Sequence, residues 1–263
     1  MSKKNILLTG AEGYIGTNMM NTYKACKFRP FDIANKIPTI PQDVRDYKTV
    51  EKYVKHSCDG IIHLAGISGI IECENDPVKA YTTNITGTLN IARAASRKGI
   101  PFVLASSFAA ADPINIYGAS KRIAEKITTE YGGVALRLAN VYGGPNYLEK
   151  KNSVIAYLLK CLNNEENPVI HDGGMHARDF IHVFDVCKAF ICGLKTEPGI
   201  YNVCTGKQTF IKEIVEVLGF TNYGSISNPR SDVEFKMLPN WSAKMSLKDG
   251  LAELNPVGKA NTS

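Results

Sequence analysis

Three glycines, Gly10, Gly13 and Gly16, follow the apolar run Ile6-Leu7-Leu8 and open the segment Tyr14 to Lys24, whose pattern predicts a helix. A strand, a glycine turn and a helix in that order place bare backbone amides and the positive end of a helix dipole where a pyrophosphate can approach. The motif gains weight from Asp32, an acid at the end of the second predicted strand, Arg29 to Asp32. Asp32 is expected to accept hydrogen bonds from the adenosine ribose hydroxyls and to repel a 2′-phosphate, which favours NAD over NADP.

The rest of the chain repeats that alternation. Strands are expected at Gly60 to Ala65, Phe102 to Ser107 and Val134 to Leu138. Between them, Asp76-Pro77 reads as an N-cap and first-turn proline opening a helix to Lys98, and Ile116 to Tyr131 reads as a second helix. The order implies an α/β fold, a doubly wound parallel sheet of the Rossmann type. After Gly143-Gly144-Pro145 the texture changes to a helix at Ser153 to Asn163, a short strand near Val169, a turn at Asp172-Gly173-Gly174 and a helix carrying Ile211, Ile214, Val215 and Leu218. The expected division is a dinucleotide-binding domain at 1–145, to which 178–205 returns, and a smaller C-terminal substrate lobe at 146–177 and 206–263.

A length of 263 residues supports one large domain with a smaller lobe. No apolar run approaches the ~18 residues of a membrane span, and the short apolar start does not suit a signal peptide, so no membrane association and a cytoplasmic location are expected. Seven cysteines without a CxxC pair fit neither a disulfide framework nor a zinc site, and the five histidines lack metal-ligand spacing. The net charge of +6 comes from scattered residues, Glu149-Lys150-Lys151 reading as a small solvated patch, so nucleic acid is not an expected partner.

Tyr117-Gly-Ala-Ser-Lys121 puts a phenol and an ammonium one helical turn apart on one face. A nearby cation favours the phenolate, and is expected to lower the tyrosine pKa toward the range of a general acid or base. The same spacing recurs at Tyr23/Lys27 and Tyr147/Lys151, but only Tyr117 follows a strand ending in Ser106-Ser107, at the sheet edge where doubly wound folds bind ligands.

Taken together, Thr9-Gly-Ala-Glu-Gly-Tyr-Ile-Gly16, Asp43-Val-Arg-Asp46, His63-Leu-Ala65, Asn84 with Gly87-Thr-Leu-Asn90, Ser106-Ser107, Tyr117-Gly-Ala-Ser-Lys121, Arg137-Leu-Ala-Asn-Val-Tyr-Gly143, Arg178-Asp-Phe-Ile-His-Val183 and Asp185 resemble the extended short-chain dehydrogenase/reductase family, in particular its nucleotide-sugar epimerases and dehydratases of the UDP-glucose 4-epimerase type. The resemblance implies Tyr117 as catalytic base, Lys121 on the nicotinamide ribose and Ser107 on the reacting sugar hydroxyl. It implies NAD contacts at Gly10, Gly13, Tyr14, Ile15, Gly16, Asp32, Asp43, Val44, Leu64, Ala65, Gly66 and Asn84, with Asp43 near the adenine. Asn140, Arg178 and Arg230 are implied to bind the substrate nucleotide and its diphosphate, a role that suits the arginine fork. A structural ion pair, with Asp179 or Asp185 in the case of Arg178, is the alternative for the two arginines. A homodimer through the helices at about 77 to 98 and 116 to 131 is also implied.

Two departures from the family pattern stand out. Ala111 and Asp112 replace the usual Tyr-Gly, and only nine residues separate Ser107 from Tyr117. Phe108-Ala109 replaces the Asp-Glu pair that dehydratases carry, which disfavours water elimination, and also the cysteine of fucose-synthase-like enzymes. The expected activity is NAD-dependent epimerisation of a nucleotide-diphosphate sugar through a transient 4-keto intermediate. The alternatives are a sugar or carbonyl reductase or dehydrogenase of the same fold, and a non-catalytic dinucleotide-binding protein.

Overall fold

A computed structural model of the chain describes residues 3–34, 42–54, 57–145, 147–150, 153–226 and 237–254. Arg230 and His56, and the tail from Asn255, lie outside the described residues. The chain divides into two compact units: Met1–Leu138 with Cys187–Val203 and Phe235–Trp241, and Ala139–Val186 with Cys204–Glu234 and Ser242–Ser263. The returning segment thus begins at Cys187 rather than at 178, because the strand Ala177–His182 pairs inside the second unit.

The first unit carries the parallel sheet. Its strands β1 (Lys4–Thr9), β2 (Cys26–Phe31), β3 (Gly60–His63), β4 (Phe102–Ser107) and β5 (Val134–Leu138), with a last strand Gly199–Val203, lie in the order β2-β1-β3-β4-β5 and then Gly199–Val203. Ile61-Ile62-His63 and Val103-Leu104-Ala105 are buried along their whole length, as strands covered on both faces require. The connection from β1 to β2 steps one way across the sheet and those from β2 to β5 step the other. Right-handed crossovers therefore put α1 (Tyr14–Thr22) on one face and α2 (Tyr47–Tyr53) and the helices between β3 and β5 on the other. The reversal between β1 and β3 opens the crevice at the strands' carboxyl ends where such sheets bind ligands.

On the second face, Leu7, Phe31, Ile61 and Phe102 of the strands pack against Val50 of α2 and Ile91 and Ala95 of the helix leading to Lys98. That helix is not the uniform one expected. After α3 (Ile70–Asn75), which sequence periodicity did not reveal, α4 (Pro77–Tyr81) runs through a five-residue π-helical stretch, Thr82–Thr86, into α5 (Gly87–Lys98). Asp76 caps α4 through the Lys79 N–H at 2.9 Å, with Pro77 in the first turn as expected. The wider turn buries Asn84, a polar residue that ordinary helical phase gives no reason to bury. The unsuspected α2 owes its start to Asp46, whose carboxylate accepts the Lys48 and Thr49 N–H groups. Between β4 and β5 lies α6 (Ile116–Glu130), with Ala124 over Leu104 and Ala135, and the helix Val183–Gly193 leads into the last strand.

In the second unit, Ala177–His182 is flanked by Asn140–Tyr142 in parallel and Gln208–Phe210 antiparallel, and Val169–His171 pairs in parallel with Gly224–Ile226. Helices Val154–Asn163, Ile211–Val217 and Leu247–Leu254 accompany them. The last is tied in through Asp185, whose carboxylate accepts the Lys244 and Met245 N–H groups at 2.8 and 2.7 Å, and through the Tyr142 hydroxyl, which donates to the Ser246 carbonyl at 3.1 Å.

Candidate active site

The glycine turn works as its residues suggest. Gly10 sits at φ +69°, its N–H donates to the Phe31 carbonyl at 2.9 Å, and a Cβ there would stand 2.6 Å from the Ala65 nitrogen. Only glycine fits against the segment that follows β3. A Cβ at Gly16 would press on the Gly10 and Ala11 carbonyl oxygens, which brings α1 close under the turn. Gly13 is the N-cap of α1 and supplies no side-chain cap, so the positive end of this helix opens at the glycine turn. Asp32 stands at the end of β2 with Oδ2 accepting the Glu12 N–H at 3.0 Å and Oδ1 the Ala34 N–H at 2.9 Å. An uncapped helix start beside a fixed carboxylate fits a dinucleotide pyrophosphate and ribose.

The other positions expected to meet the cofactor are held by buried polar side chains. Leu64 N–H donates to the Thr9 carbonyl at 3.1 Å, and Ala65 N–H to the Thr9 hydroxyl at 3.2 Å. His63 bridges Thr9 (Nδ1, 2.6 Å) and Thr88 (Nε2, 3.2 Å), and complete burial lowers its pKa to about 3. It is therefore a neutral core residue, in line with its place inside a strand. Asn84 accepts the Ile67 N–H at 2.8 Å and donates to the Ile67 carbonyl at 3.0 Å and the Ser120 hydroxyl at 2.9 Å, while a Cβ on Gly66 would meet its Oδ1 at 2.8 Å. Asp43 is gripped by Arg45 (Nε at 2.9 Å, a second nitrogen at 2.6 Å), and this hydrogen-bonded pairing holds its carboxyl below the usual range. Val44 is buried, and Asn90 holds this segment by donating to the Val44 and Arg45 carbonyls, both at 2.9 Å.

Ser107 ends β4, and the Tyr117 hydroxyl hydrogen-bonds to its side chain. Lys121, one turn further along α6, is buried and donates to the Ala105 carbonyl at 2.9 Å. The electrostatics differ from the sequence expectation that the ammonium would pull the phenol down. Burial is the largest influence on Tyr117 and pushes its pKa up, the Ser107 hydrogen bond opposes this, and the Cys73 thiol adds to the rise. Burial likewise lowers Lys121 to about 8, against the opposing influences of Cys73 and Glu125. The ammonium is directed at a main-chain carbonyl, and Ser107 is the partner that favours the phenolate.

The short connection before Tyr117 is a compact, braced turn. Phe108–Ala110 forms a single 3-10 turn, and Arg122 donates to the Ala110 and Ala111 carbonyls at 3.1 and 3.4 Å. A Cβ on Gly118 would run into the Ala109 carbonyl and lie 3.1 Å from Pro113 Cα. The start of α6 is fixed by Asn115, which accepts the Gly118 N–H at 2.8 Å, and by Glu74 of α3, which accepts the Ile116 N–H at 3.0 Å.

Within the second unit, Asn140, Lys150, Tyr157, His171, His176 and Arg178 line a cavity of about 580 Å³. Asn140 donates to the Asp179 carbonyl at 3.1 Å and Arg178 to the Ala177 carbonyl at 2.8 Å. The two acids considered as ion-pair partners of Arg178 bind main-chain amides: Asp179 those of Thr205 and Gly206 at 2.9 and 2.7 Å, Asp185 those noted above. Lys150 corrects the expectation of a solvated basic patch. It lines the cavity, donates to the Val141 carbonyl, and is lowered by burial to about 8. His176 pairs with Asp172 at 2.6 Å. Among the described residues no cluster of three His, Cys, Asp or Glu side chains could hold a metal.

A glycine turn at the switch point of a doubly wound sheet, together with a Ser-Tyr-Lys group at the end of β4, defines a dinucleotide-dependent enzyme of the short-chain dehydrogenase/reductase class. The chain belongs to the NAD-dependent epimerase/dehydratase family, whose profile matches residues 6–204, and NAD is its cofactor. It is 26% identical to a putative UDP-glucose 4-epimerase of Methanocaldococcus jannaschii, over 94% of this chain and 95% of that one. It is 24% identical to the UDP-glucose 4-epimerase of Neisseria gonorrhoeae over 80% of each. Its fold is similar to that of the Thermotoga maritima UDP-glucose 4-epimerase bound to UDP-glucose, with a TM-score of 0.79, 21% identity, and coverage of 98% of this chain and 100% of that one. It is also similar to MoeE5 in complex with UDP-glucose and NAD, with a TM-score of 0.81, 21% identity and the same coverage.

Proposed function

We propose that the protein is an NAD-dependent 4-epimerase of nucleotide-diphosphate sugars. The observation that carries this reading is the group of Ser107 at the end of β4 with Tyr117 and Lys121 one turn apart on α6, the Lys121 ammonium donating to the Ala105 carbonyl at 2.9 Å, and with Phe108-Ala109 after the serine in place of two carboxylates. A phenol that exchanges a proton with a sugar hydroxyl, and no neighbouring acid and base for expelling water, suits reversible oxidation and reduction at one carbon.

When bound, NAD supplies a hydride acceptor that can return the hydride to the opposite face, so that the reaction has no net redox change. The protein's own part is to hold and move a proton. Tyr117 removes the proton from the reacting hydroxyl and gives it back, Ser107 hydrogen-bonds that oxygen and the phenol, and Lys121 holds the nicotinamide ribose. Gly10, Gly13, Tyr14, Ile15 and Gly16 take the pyrophosphate, Asp32 the adenosine ribose, Asp43 and Val44 the adenine side, and Leu64, Ala65, Gly66 and Asn84 shape the floor. Asn140, Arg178 and Lys150, with Arg230 from outside the described residues, take the nucleotide diphosphate. UDP-hexoses are the first substrates to test, since three of the proteins above carry that activity in their names.

The reading is tested by incubating the protein with UDP-glucose or UDP-galactose and NAD, separating the products and following absorbance at 340 nm. Interconversion at constant absorbance is the expected outcome; net NADH change would assign the redox alternative, and no reaction with UDP-, dTDP- or GDP-sugars would overturn the epimerase reading.

A homodimer belongs to the same proposal. It is supported by exposed apolar side chains on α3 to α6 and beside them, among them Ile71, Val78, Leu89, Ile114 and Ile123. Light scattering that returns a monomer would remove it. No helix among the described residues is long and apolar enough to cross a membrane, and all seven cysteines are free thiols, which supports a reducing, cytoplasmic setting.

A further inference from the structure

The most deeply buried acid in the first unit is one to which sequence reasoning gave no role. Glu125 lies on α6 one turn beyond Lys121 and is fully buried. Its Oε1 accepts the Ser106 hydroxyl at 2.6 Å and Arg137 Nε at 2.8 Å, and its Oε2 accepts a second Arg137 nitrogen at 2.8 Å. One carboxylate thereby joins α6, β4 and β5. Ser106 is the residue before Ser107, so the β4 anchor lies one peptide from the hydroxyl that meets Tyr117. A bidentate arginine pair with a third donor leaves the carboxylate with little freedom to rotate.

We propose that Glu125 is a positioning residue for the reaction: its buried three-way contact with Ser106 and Arg137 sets the register of α6 on β4 and keeps a fixed negative charge one turn from the Lys121 ammonium. This rests on the epimerase reading for the roles of Ser107, Tyr117 and Lys121, and deepens it by naming what holds them together.

Two consequences distinguish this from ordinary packing. A slip of α6 along β4 moves Tyr117 and Lys121 together relative to Ser107, and misplacement by about 1 Å can lower turnover on the order of 100-fold while leaving ground-state binding nearly intact. The second is electrostatic. The groups facing Lys121 are His63 on β3, the Cys73 thiol on α3, the Ala105 carbonyl on β4, and Tyr117 and Glu125 on α6. His63 is neutral, so Glu125 is the one carboxylate among these groups, and its loss makes the ammonium easier to deprotonate.

The test uses Glu125→Gln, Glu125→Asp and the double variant Glu125→Gln/Arg137→Met in the full chain. Two quantities are measured across pH 6 to 10: NAD affinity without sugar, and kcat and KM with the nucleotide sugar. Glu125→Gln is expected to lower kcat tenfold or more with KM changed less than threefold, and to move the alkaline fall in NAD affinity to lower pH, whereas Glu125→Asp keeps the wild-type position of that fall. The double variant leaves no buried charge alone, so it keeps the fold if the single one does not, and it shows the same displaced fall. Wild-type pH dependence in Glu125→Gln and the double variant, with kcat lost only in step with the folded fraction, overturns the proposal. NAD affinity is read without sugar, so a wild-type protein that binds NAD but converts no sugar would fail the epimerase reading while still judging the charge role of Glu125.

Discussion

The carboxylate of Asp32 is fastened to the glycine turn itself, its Oδ2 accepting the Glu12 backbone N–H at 3.0 Å. The acid at the end of β2 and the turn after β1 are therefore joined, and on the proposed reading this bond holds the carboxylate where a phosphorylated ribose would have to come. Asp32→Ser is expected to weaken NAD binding about 10- to 100-fold, the range of a lost hydrogen bond to a charged group, and to narrow the preference over NADP. Titration of both dinucleotides by fluorescence checks this; an unchanged NAD/NADP ratio would remove Asp32 from the cofactor site.

Tyr117→Phe keeps the ring and deletes the proton carrier. Turnover is expected to fall by about 10² to 10⁴, the usual contribution of general acid-base catalysis, with NAD retained. Stopped-time product assays alongside a cofactor-content measurement decide it, and full turnover in the variant would sink the assignment.

Gly10 and Gly99 share nearly the same backbone, φ +69° and +62°, but not the same surroundings. A Cβ at Gly10 meets the Leu64–Ala65 backbone within 3 Å, while one at Gly99 meets nothing within 4 Å. Gly99→Ala should cost only the left-handed conformational term, roughly 1–2 kcal/mol. Gly10→Ala adds overpacking against main chain that cannot rotate away, for roughly 2–5 kcal/mol in all. Thermal melts of the two variants give the ordering directly, and equal shifts would show that the turn has room the geometry denies.

Lys150 offers a handle on the second unit's cavity. Burial lowers its pKa to about 8, so its charge is present below that pH and lost above it. Affinity for UDP alone is expected to decline between pH 7 and 9 in the wild type, and to be weaker and flatter in Lys150→Met. Calorimetric titration at several pH values checks it; identical profiles would place the anion elsewhere.

His63 makes stability depend on acid in a defined window. Its folded pKa of about 3 lies below the ordinary value near 6.5, so the unfolded chain binds the extra proton between those limits and stability falls as pH drops through them. The loss from pH 7 to pH 5 is on the order of 2 kcal/mol for this one group. Urea unfolding of wild type and His63→Gln at both pH values should give a smaller acid loss in the variant, whatever its absolute stability.

The parallel order, the glycine turn and the Ser107–Tyr117–Lys121 group were legible because each depends on local pattern: apolar runs, a turn only glycine can make, a spacing of one helical turn. What escaped the pattern has physical reasons. Helices α2 and α3 have seven and six residues, too few to show a period. Asn84 faces inward because a π-helical turn shifts the phase of the helix that carries it, and Lys150 stands in a cavity wall whose other members, among them His171 and Arg178, are distant in sequence. Glu125 left a trace, a charged residue on the buried face of α6 at i+4 from Lys121, but its partners Ser106 and Arg137 lie on separate strands. The rise in the Tyr117 pKa reverses the expected direction because burial, a property of the whole fold, outweighs a neighbour's charge.

The amide of Asn84 uses both its nitrogen and its oxygen on Ile67 and Ser120, which ties the segment after β3 to α6. That segment cannot lift without dragging α6. Its main-chain hydrogens should therefore exchange with solvent at the slow rate of a core helix rather than that of a surface loop, and the floor of the cofactor crevice should stay fixed while whatever admits and releases NAD moves elsewhere.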